Sequence, residues 1–366
     1  MLRSFYSGIS GLRNFQTKLD VVSNNIANVN TVGFKASRVM FQDVMSQTLQ
    51  GATAPADPMG GVNPKQIGVG ASVSSIDTRF TNGSLQTTNY ATDFYIDGDG
   101  FFLVTGDGGN VKYLTRAGNF KIDANGDLVD TRGMKVVGVK ITTDQNDPSK
   151  LILEKDQNNN NRVITVPNND PQNANQNYLA INLKYVPAGA FYFDSQNNRY
   201  ITAADSNSRT GYSTVSPSDY LGTNEVLAFD PDGDNTIDTP VEIVDYSIGA
   251  DGTIEVLGSD GEKYILPYKI AMAVVQNPEG LLKVGNSLYQ YTGNADTAAS
   301  LDELITHPND PTRGSGAIYS GFLEMSNVDL AEEFTEMIIA QRGFQANSRI
   351  ITTSDEVLQE LVNLKR

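Results

Sequence analysis

Four aspartates at alternate positions form the segment of the chain best suited to chemistry. Alternating carboxylates offer the oxygen ligands that a calcium ion requires. The segment departs from an EF-hand loop, because Asn235 stands where glycine is expected and Val241 stands where a bidentate glutamate belongs. Acidic turns on protein surfaces have the same composition. We expect a surface turn without a metal. The alternative is calcium binding by Asp230, Asp232, Asp234 and Asp238.

The sequence lacks the residues that most other catalytic chemistry requires. The 366 residues include no cysteine and one histidine, which excludes thiolate nucleophiles, disulfides, iron–sulfur sites and histidine clusters. His307 lies between Thr306 and Pro308 in a segment typical of a surface loop, a poor position for a Ser-His-Asp triad. Gly98 and Gly100 lack the third glycine and the following helix of a nucleotide loop. We therefore expect no enzyme activity and no cofactor.

Charge and hydropathy limit the partners further. The formal net charge of −16 would repel nucleic acid and anionic lipid. The sequence has no apolar run of transmembrane length, and its first residues lack the apolar core and cleavage site of a secretory signal. We expect no nucleic-acid binding, no direct membrane insertion, and either a cytosolic location or export without a cleaved signal.

Heptad spacing of apolar residues predicts a helix at each end of the chain. The stripe over 2–29 consists of Leu2, Phe5, Ile9, Leu12, Leu19 and Ile26. The stripe over 328–364 consists of Leu330, Met337, Phe344, Ile351 and Leu358. Such stripes pack against a partner helix, which can belong to the same chain or to a neighbouring subunit. The first helix is basic and the last is acidic, so charge can select the partner.

Turn dipeptides and alternating apolar residues predict antiparallel β structure between the helices. The dipeptides are Asn82-Gly83, Asp107-Gly108, Asn125-Gly126, Asp251-Gly252 and Asp260-Gly261. Glycine and proline over 51–70 predict a linker or extended arm. Asparagine and aspartate crowd together between about 144 and 240, which predicts a separate outer domain.

The predicted fold is mainly β with α-helical termini. Long N- and C-terminal helices form a coiled-coil core, and one antiparallel β domain is inserted in another. The predicted divisions are paired terminal helices over 1–30 and 323–366, an arm over 31–74, a first β domain over 75–147 and 241–322, and an inserted outer β domain over 148–240.

Four stretches resemble the rod and hook axial proteins of the bacterial flagellum. They are Leu19–Lys35 (LDVVSNNIANVNTVGFK), Ile96–Phe102 with Tyr113–Phe120, Asn277–Leu281, and Ser326–Leu330 with Gln341–Asn347. Together they cover both ends and the first β domain, whereas 148–240 carries no such stretch. By itself, the asparagine-rich run can simply end a helix and turn the chain. The resemblance implies instead a contact region between subunits at Asn24, Asn25, Asn28, Gly33 and Phe34.

The resemblance also implies a function. We expect a structural subunit of the flagellar hook, exported unfolded by a type III secretion route and located outside the cell. Its copies would form a flexible helical tube that joins rod to filament and transmits motor torque. The implied partners are further copies of the chain, the distal rod, the hook cap, the hook–filament junction proteins and the flagellar export apparatus.

Two other functions remain open at this stage. A distal rod protein shares both terminal signatures and often has an extension like 51–70, but it lacks a large outer insert such as 148–240. An extracellular β-rich binding or carbohydrate-active protein would require an aromatic cleft or paired carboxylates. The absence of tryptophan disfavours that class.

Overall fold

The structure is a computed structural model that forms two compact units. It describes residues 2–55, 60–106, 111–143, 151–153, 166–167, 177–178, 181–187, 189–194, 199–202, 212–215, 226–229, 239–298 and 300–364. The aspartates of the calcium hypothesis, 230–238, and the dipeptide Asp107-Gly108 lie outside the described residues.

Unit 1 contains residues 1–31, 35–81 and 326–366. Its helices are α1 (Leu2–Ala27) and α2 (Leu330–Leu364). Asp329 caps α2, because its Oδ1 accepts the backbone N–H of Ala331 at 2.8 Å and that of Glu332 at 3.3 Å. Both predicted terminal helices are thus present.

A two-stranded ribbon completes unit 1 and occupies most of the predicted arm. Its strands are β1 (Ser37–Asp43), β2 (Ser46–Gln50), β3 (Lys65–Gly68) and β4 (Ala71–Thr78). β1 pairs with β4 and β2 pairs with β3, both antiparallel. β1 and β4 pack against α1.

Unit 2 contains residues 32–34 and 82–325 and is built from strands. The first are β5 (Leu85–Thr87), β6 (Phe94–Asp97), β7 (Phe101–Thr105), β8 (Lys112–Thr115), β9 (Lys121–Ile122), β10 (Leu128–Val129), β11 (Lys135–Val136), β12 (Gly138–Thr143) and β13 (Leu151–Leu153). Next are β14 (Val166–Pro167), β15 (Asn177–Tyr178), β16 (Phe191–Asp194), β17 (Arg199–Thr202), β18 (Tyr212–Val215), β19 (Val226–Phe229) and β20 (Thr239–Pro240). The last are β21 (Ile243–Ile248), β22 (Thr253–Gly258), β23 (Lys263–Ile270), β24 (Met272–Ala273), β25 (Leu282–Gly285), β26 (Leu288–Gln290), β27 (Ile305–Thr306), β28 (Ala317–Ser320) and β29 (Phe322–Glu324). Two 3₁₀ turns span Pro278–Gly280 and Leu301–Leu304.

Two large antiparallel sheets dominate unit 2. The first has the order β25-β26-β8-β7-β11-β10-β9, with β24 joining β7 to β27. The second has the order β13-β12-β23-β16-β17, with β22 joining β23 to β21. Smaller pairings are β14 with β15, β19 with both β18 and β20, β28 with β6, and β29 with β5. The predicted mainly β character is confirmed.

One hydrophobic cluster runs through unit 2. Phe94, Phe102 and Phe120 form an aromatic centre with ring centroids 5.3–6.3 Å apart. The same cluster includes Ile181 and Leu227 from the predicted outer domain, and β16 of that segment pairs with β23. The described part of 148–240 therefore shares core and sheet contacts with its flanks, and the proposed domain division stays a prediction.

Candidate assembly surface

The two helices of unit 1 run antiparallel and approach closely where one of them has glycine. A Cβ added to Gly343 would lie 2.5 Å from Cζ of Phe15, and one added to Gly11 would lie 2.6 Å from Nδ2 of Asn347. Gly8 faces Ile351 farther along the same seam. Real Cβ atoms do not come within 3.0 Å of a neighbouring heavy atom, so Gly343 and Gly11 allow the close approach of α1 and α2.

Polar contacts fasten the other end of the seam. Lys18 forms an ion pair with Glu336. Nδ2 of Asn25 donates to Oε1 of Glu333 at 2.9 Å. Burial of Glu333 raises the pKa of its carboxyl group, although the hydrogen bond from Asn25 opposes that shift. The charge complementarity of the two helices thus operates within unit 1.

The heptad stripe predicted for α2 is only partly buried. Met337 and Ile351 are half-buried, while Leu330, Phe344 and Leu358 are exposed. A straight helix drifts about 20° per heptad relative to a strict seven-residue repeat, so the five positions spread over about 80° and lie to one side of the line through Gly343 and Asn347 that faces α1. Ala340, beside the stripe, is the fully buried residue of α2.

Exposed apolar side chains form two ridges on the outer side of α2. At about 100° per residue, Leu330, Phe334 and Ile338 lie along a first ridge, and Ile339, Ile350 and Val357 lie along a second. All six are exposed, Ile338 by 57%. The polar residues Thr335, Arg342 and Arg349 lie between the ridges. The outer surface of α2 therefore presents two separate apolar contacts.

The apolar stripe predicted for α1 is half-buried along most of its length. Phe5, Ile9, Leu12, Leu19 and Ile26 are half-buried, whereas Val22, off the stripe, is the most buried apolar residue of α1, at 5% exposed. Leu2 lies in α1, but its side chain is outside the described residues. α1 packs against both α2 and the ribbon, so residues on more than one face lose solvent contact.

The asparagines at the end of α1 have contrasting environments. Asn25 is 1% exposed; its Oδ1 accepts from Ser37 N at 3.0 Å, and its Nδ2 donates to Ser37 O at 2.8 Å. Asn24 is exposed, and its backbone oxygen accepts from Nδ2 of Asn28 at 2.9 Å. Oδ1 of Asn327 accepts from Ala36 N at 2.7 Å. Asn25 and Asn327 together fix the start of the ribbon.

Gly33 and Phe34 belong to unit 2 and are buried there. Gly33 has a φ of 65°, and a Cβ on it would lie 2.6 Å from the backbone nitrogen of Ala117, so only glycine fits. Nζ of Lys283 lies 4.2 Å from the ring centroid of Phe34, and burial lowers the pKa of that lysine.

The outer half of the ribbon has one apolar face. Gln47 pairs with Ile67 and Met45 with Val69 across the two strands, so side-chain alternation places Met45, Ile67 and Val69 on the same face. Leu49 lies at the irregularity in the pairing between Thr48 and Gln50. All four are exposed, by 42% to 68%. An isolated two-stranded ribbon is marginally stable in water, and covering this face would stabilise it.

Other functional features are limited in the described ranges. No helix there is long and apolar enough to cross a membrane. The same residues contain no cluster of three histidine, cysteine or acidic side chains that could hold a metal ion.

Three family models match parts of the chain. They are "Flagella basal body rod protein" over 5–35, "Flagellar hook protein FlgE/F/G D1 domain" over 95–181, and "Flagellar basal body rod FlgEFG protein C-terminal" over 319–364. These ranges include α1, much of the first large sheet and α2.

Individual relatives align over the full chain. The flagellar basal-body rod protein FlgG of Bacillus subtilis is 40% identical over 367 positions, covering 100% of both chains. The flagellar hook protein FlgE of Borreliella burgdorferi is 34% identical over 452 positions, also covering 100% of both. A crystal structure of Helicobacter pylori hook protein FlgE2 aligns with 66% of this chain and 100% of that chain at 12% identity, and its TM-score of 0.31 is too low to bear on the fold.

Proposed function

Because the chain belongs to the flagellar hook and rod protein family, we propose that it is a structural subunit of the flagellar hook and not an enzyme. In this proposal its copies polymerise into a flexible helical tube that joins rod to filament and transmits motor torque. The observation that carries the proposal is the pair of exposed apolar ridges on α2.

The ridges support self-assembly because they are separate from the seam that joins α2 to α1 within the chain. The seam of Ala340 and Ile351 is used within the chain, which leaves the ridges available to other copies. Burying a large apolar side chain contributes about 1.5–3 kcal/mol, so either ridge could supply much of the affinity of a subunit contact. Two ridges allow contacts with two neighbours, and repeated heterologous contacts build an open helical polymer.

We propose the remaining details from the same resemblance. The helix pair forms the coiled-coil core of the tube, the first β domain surrounds it, and residues 148–240 form an inserted outer domain. Exposed Asn24, Leu330, Phe344 and Leu358 contribute to subunit contacts directly. The protein acts outside the cell, and its partners include the distal rod, the hook cap, the hook–filament junction proteins and the export apparatus.

A distal rod subunit is the second candidate. The relative from B. subtilis that aligns over the whole chain is named as a rod protein. The alignment with the hook protein of B. burgdorferi runs over 452 positions, more than the 366 residues of this chain, so that hook protein has segments without a counterpart here. The ribbon also occupies the region in which an extension is typical of the rod.

Immunogold labelling of isolated flagellar basal bodies separates the two candidates. If the chain is a hook subunit, antibody against unit 2 should label the curved segment that extends beyond the outermost ring of the basal body. Label confined to the straight segment inside that ring would support the rod candidate. Absence of label from both segments would refute a role in the axial structure.

A further inference from the structure

The only histidine of the chain lies in a tightly bonded loop of unit 2. Oδ1 of Asp310 accepts the backbone N–H of Thr312 at 2.8 Å and its hydroxyl at 2.6 Å, and Oδ2 accepts the hydroxyl of Thr306. The Ser315 hydroxyl donates to the carbonyl oxygen of His307 at 2.7 Å and accepts from Asp310 N at 2.7 Å. These bonds fix the conformation of the loop 306–316.

The loop connects several parts of unit 2. Thr306 ends β27, which pairs with β24, and Ala317 starts β28, which pairs with β6. Gly316 N donates to the carbonyl oxygen of Asp99 at 2.8 Å. A Cβ added to Gly252 would lie 2.7 Å from Cδ of Pro308, so the loop also packs against the turn between β21 and β22.

The imidazole of His307 is poorly placed to carry a charge. Among the described residues, its buried Nδ1 has no hydrogen-bond partner, and the nearest carboxylate oxygen, Oδ2 of Asp310, is 4.0 Å away. A protonated imidazole must donate from both nitrogens, and a buried charged donor without a partner is costly.

The charged groups around the imidazole do not remove this cost. Lys269 of β23 adds a positive charge, while Asp251 and Asp310 add negative ones, and Asp251 is already paired with Lys269 at 2.7 Å. Burial, followed by the repulsion from Lys269, holds the pKa of His307 below its ordinary 6.5.

We propose that residues 306–316 form an acid-sensitive loop, in which protonation of His307 opens the Asp310 and Ser315 network and loosens β27 and β28. This inference does not depend on the assembly role. A histidine with a lowered pKa stabilises the fold fully above 6.5. That stability is lost as the pH falls from 6.5 towards the pKa of the folded state, because the unfolded chain then binds more protons.

Proton NMR of the full chain tests the first step directly, since a single histidine gives one Hε1 signal and one Hδ2 signal. The titration midpoint should lie below 6.5 when the chain is folded and rise towards 6.5 in urea. Lys269→Met should raise the midpoint. Lys263→Met, which removes an exposed lysine from the same strand, should leave it unchanged. A folded-state midpoint at or above 6.5, or equal shifts in both variants, would overturn the proposal.

Thermal unfolding tests the second step. The Tm of unit 2 should fall in wild type relative to His307→Gln as the pH is lowered from 8 to 5, because the variant cannot take up this proton. The protection factors of the amides of Thr312 and Ser315, which correct hydrogen exchange for its intrinsic pH dependence, should fall over the same pH range in wild type only. A Tm difference that stays constant with pH would show that the loop does not respond to His307.

Discussion

The substitution Ile338→Asp tests whether the first ridge of α2 is a subunit contact. Ile338 is 57% exposed and lies on the opposite side of α2 from the α1 seam. Surface substitutions of this kind change stability by about 0.5 kcal/mol or less, so the free chain should fold normally. Its circular dichroism and Tm should match those of wild type.

The expected effect on the polymer is much larger. Full burial of an isoleucine contributes about 1.5–3 kcal/mol, and slightly more than half of that remains to be gained at a side chain exposed by 57%. Enclosing an unpaired carboxylate costs at least about 2 kcal/mol more. The sum is about 3 kcal/mol per contact. Since 1.4 kcal/mol corresponds to a tenfold change, the critical concentration for polymerisation should rise about a hundredfold.

Sedimentation of the purified chain over a concentration series, with negative-stain images of the pellet, measures this change. Thr335→Asp is the matched control, because it adds the same charge to the exposed polar strip between the ridges and should change the critical concentration by less than about threefold. Normal assembly of Ile338→Asp would refute the ridge hypothesis. Equal inhibition by both variants would show that added charge, not ridge burial, controls assembly.

Three further substitutions test the contacts that hold each unit together. Gly343→Leu inserts atoms where Cζ of Phe15 would be 2.5 Å from a Cβ. The overpacking should destabilise the helix pair by about 1–3 kcal/mol and lower the helical circular dichroism signal. The control Ala346→Leu, on the exposed surface of α2, should do neither. Glu333→Gln should raise the stability of unit 1 near neutral pH. Because the pKa of the buried carboxyl is raised, wild type gains stability only as the pH falls through that pKa towards 4.5. Urea unfolding at pH 7 and pH 4 measures this, and an equal difference in unfolding free energy between the two proteins at both pH values would contradict it. Arg116→Met removes the cation that lies 3.5 Å from the buried carboxylate of Glu324, so unit 2 should lose about 3–5 kcal/mol. A double variant with Glu324→Gln should recover part of the Tm.

Local sequence patterns predicted the turns of this chain correctly where the turn residues themselves determine the backbone conformation. Asn125-Gly126, Asp251-Gly252 and Asp260-Gly261 each connect paired strands, with positive φ at all three glycines. Asn82-Gly83 was wrongly expected in a hairpin, because β4 pairs with β1 and β5 pairs with β29. A turn dipeptide specifies the bend but not the partners of the flanking strands.

The helix contacts could be predicted only in part, because a periodic pattern does not say which partner covers it. The seven-residue stripe identified α2, but the stripe lies to one side of the seam, and three of its five members are exposed. Gly11 and Gly343 are unfavourable for a helix by intrinsic propensity. Their value appears only when Phe15 and Asn347 of the opposite helix are placed beside them.

The burial of Asn25 at the end of α1 indicates how unit 1 is built. The side chain of Asn25 forms hydrogen bonds with Ser37 and Glu333. These bonds hold the chain where it leaves α1 and enters the ribbon. We therefore propose that they support assembly by positioning the helix pair and the ribbon, while the exposed ridges of α2 and the apolar face of the ribbon make the contacts. Under that division of roles, Asn25→Ala should lower the stability of the free subunit by about 1–3 kcal/mol, whereas Ile338→Asp should spare the subunit and prevent the polymer.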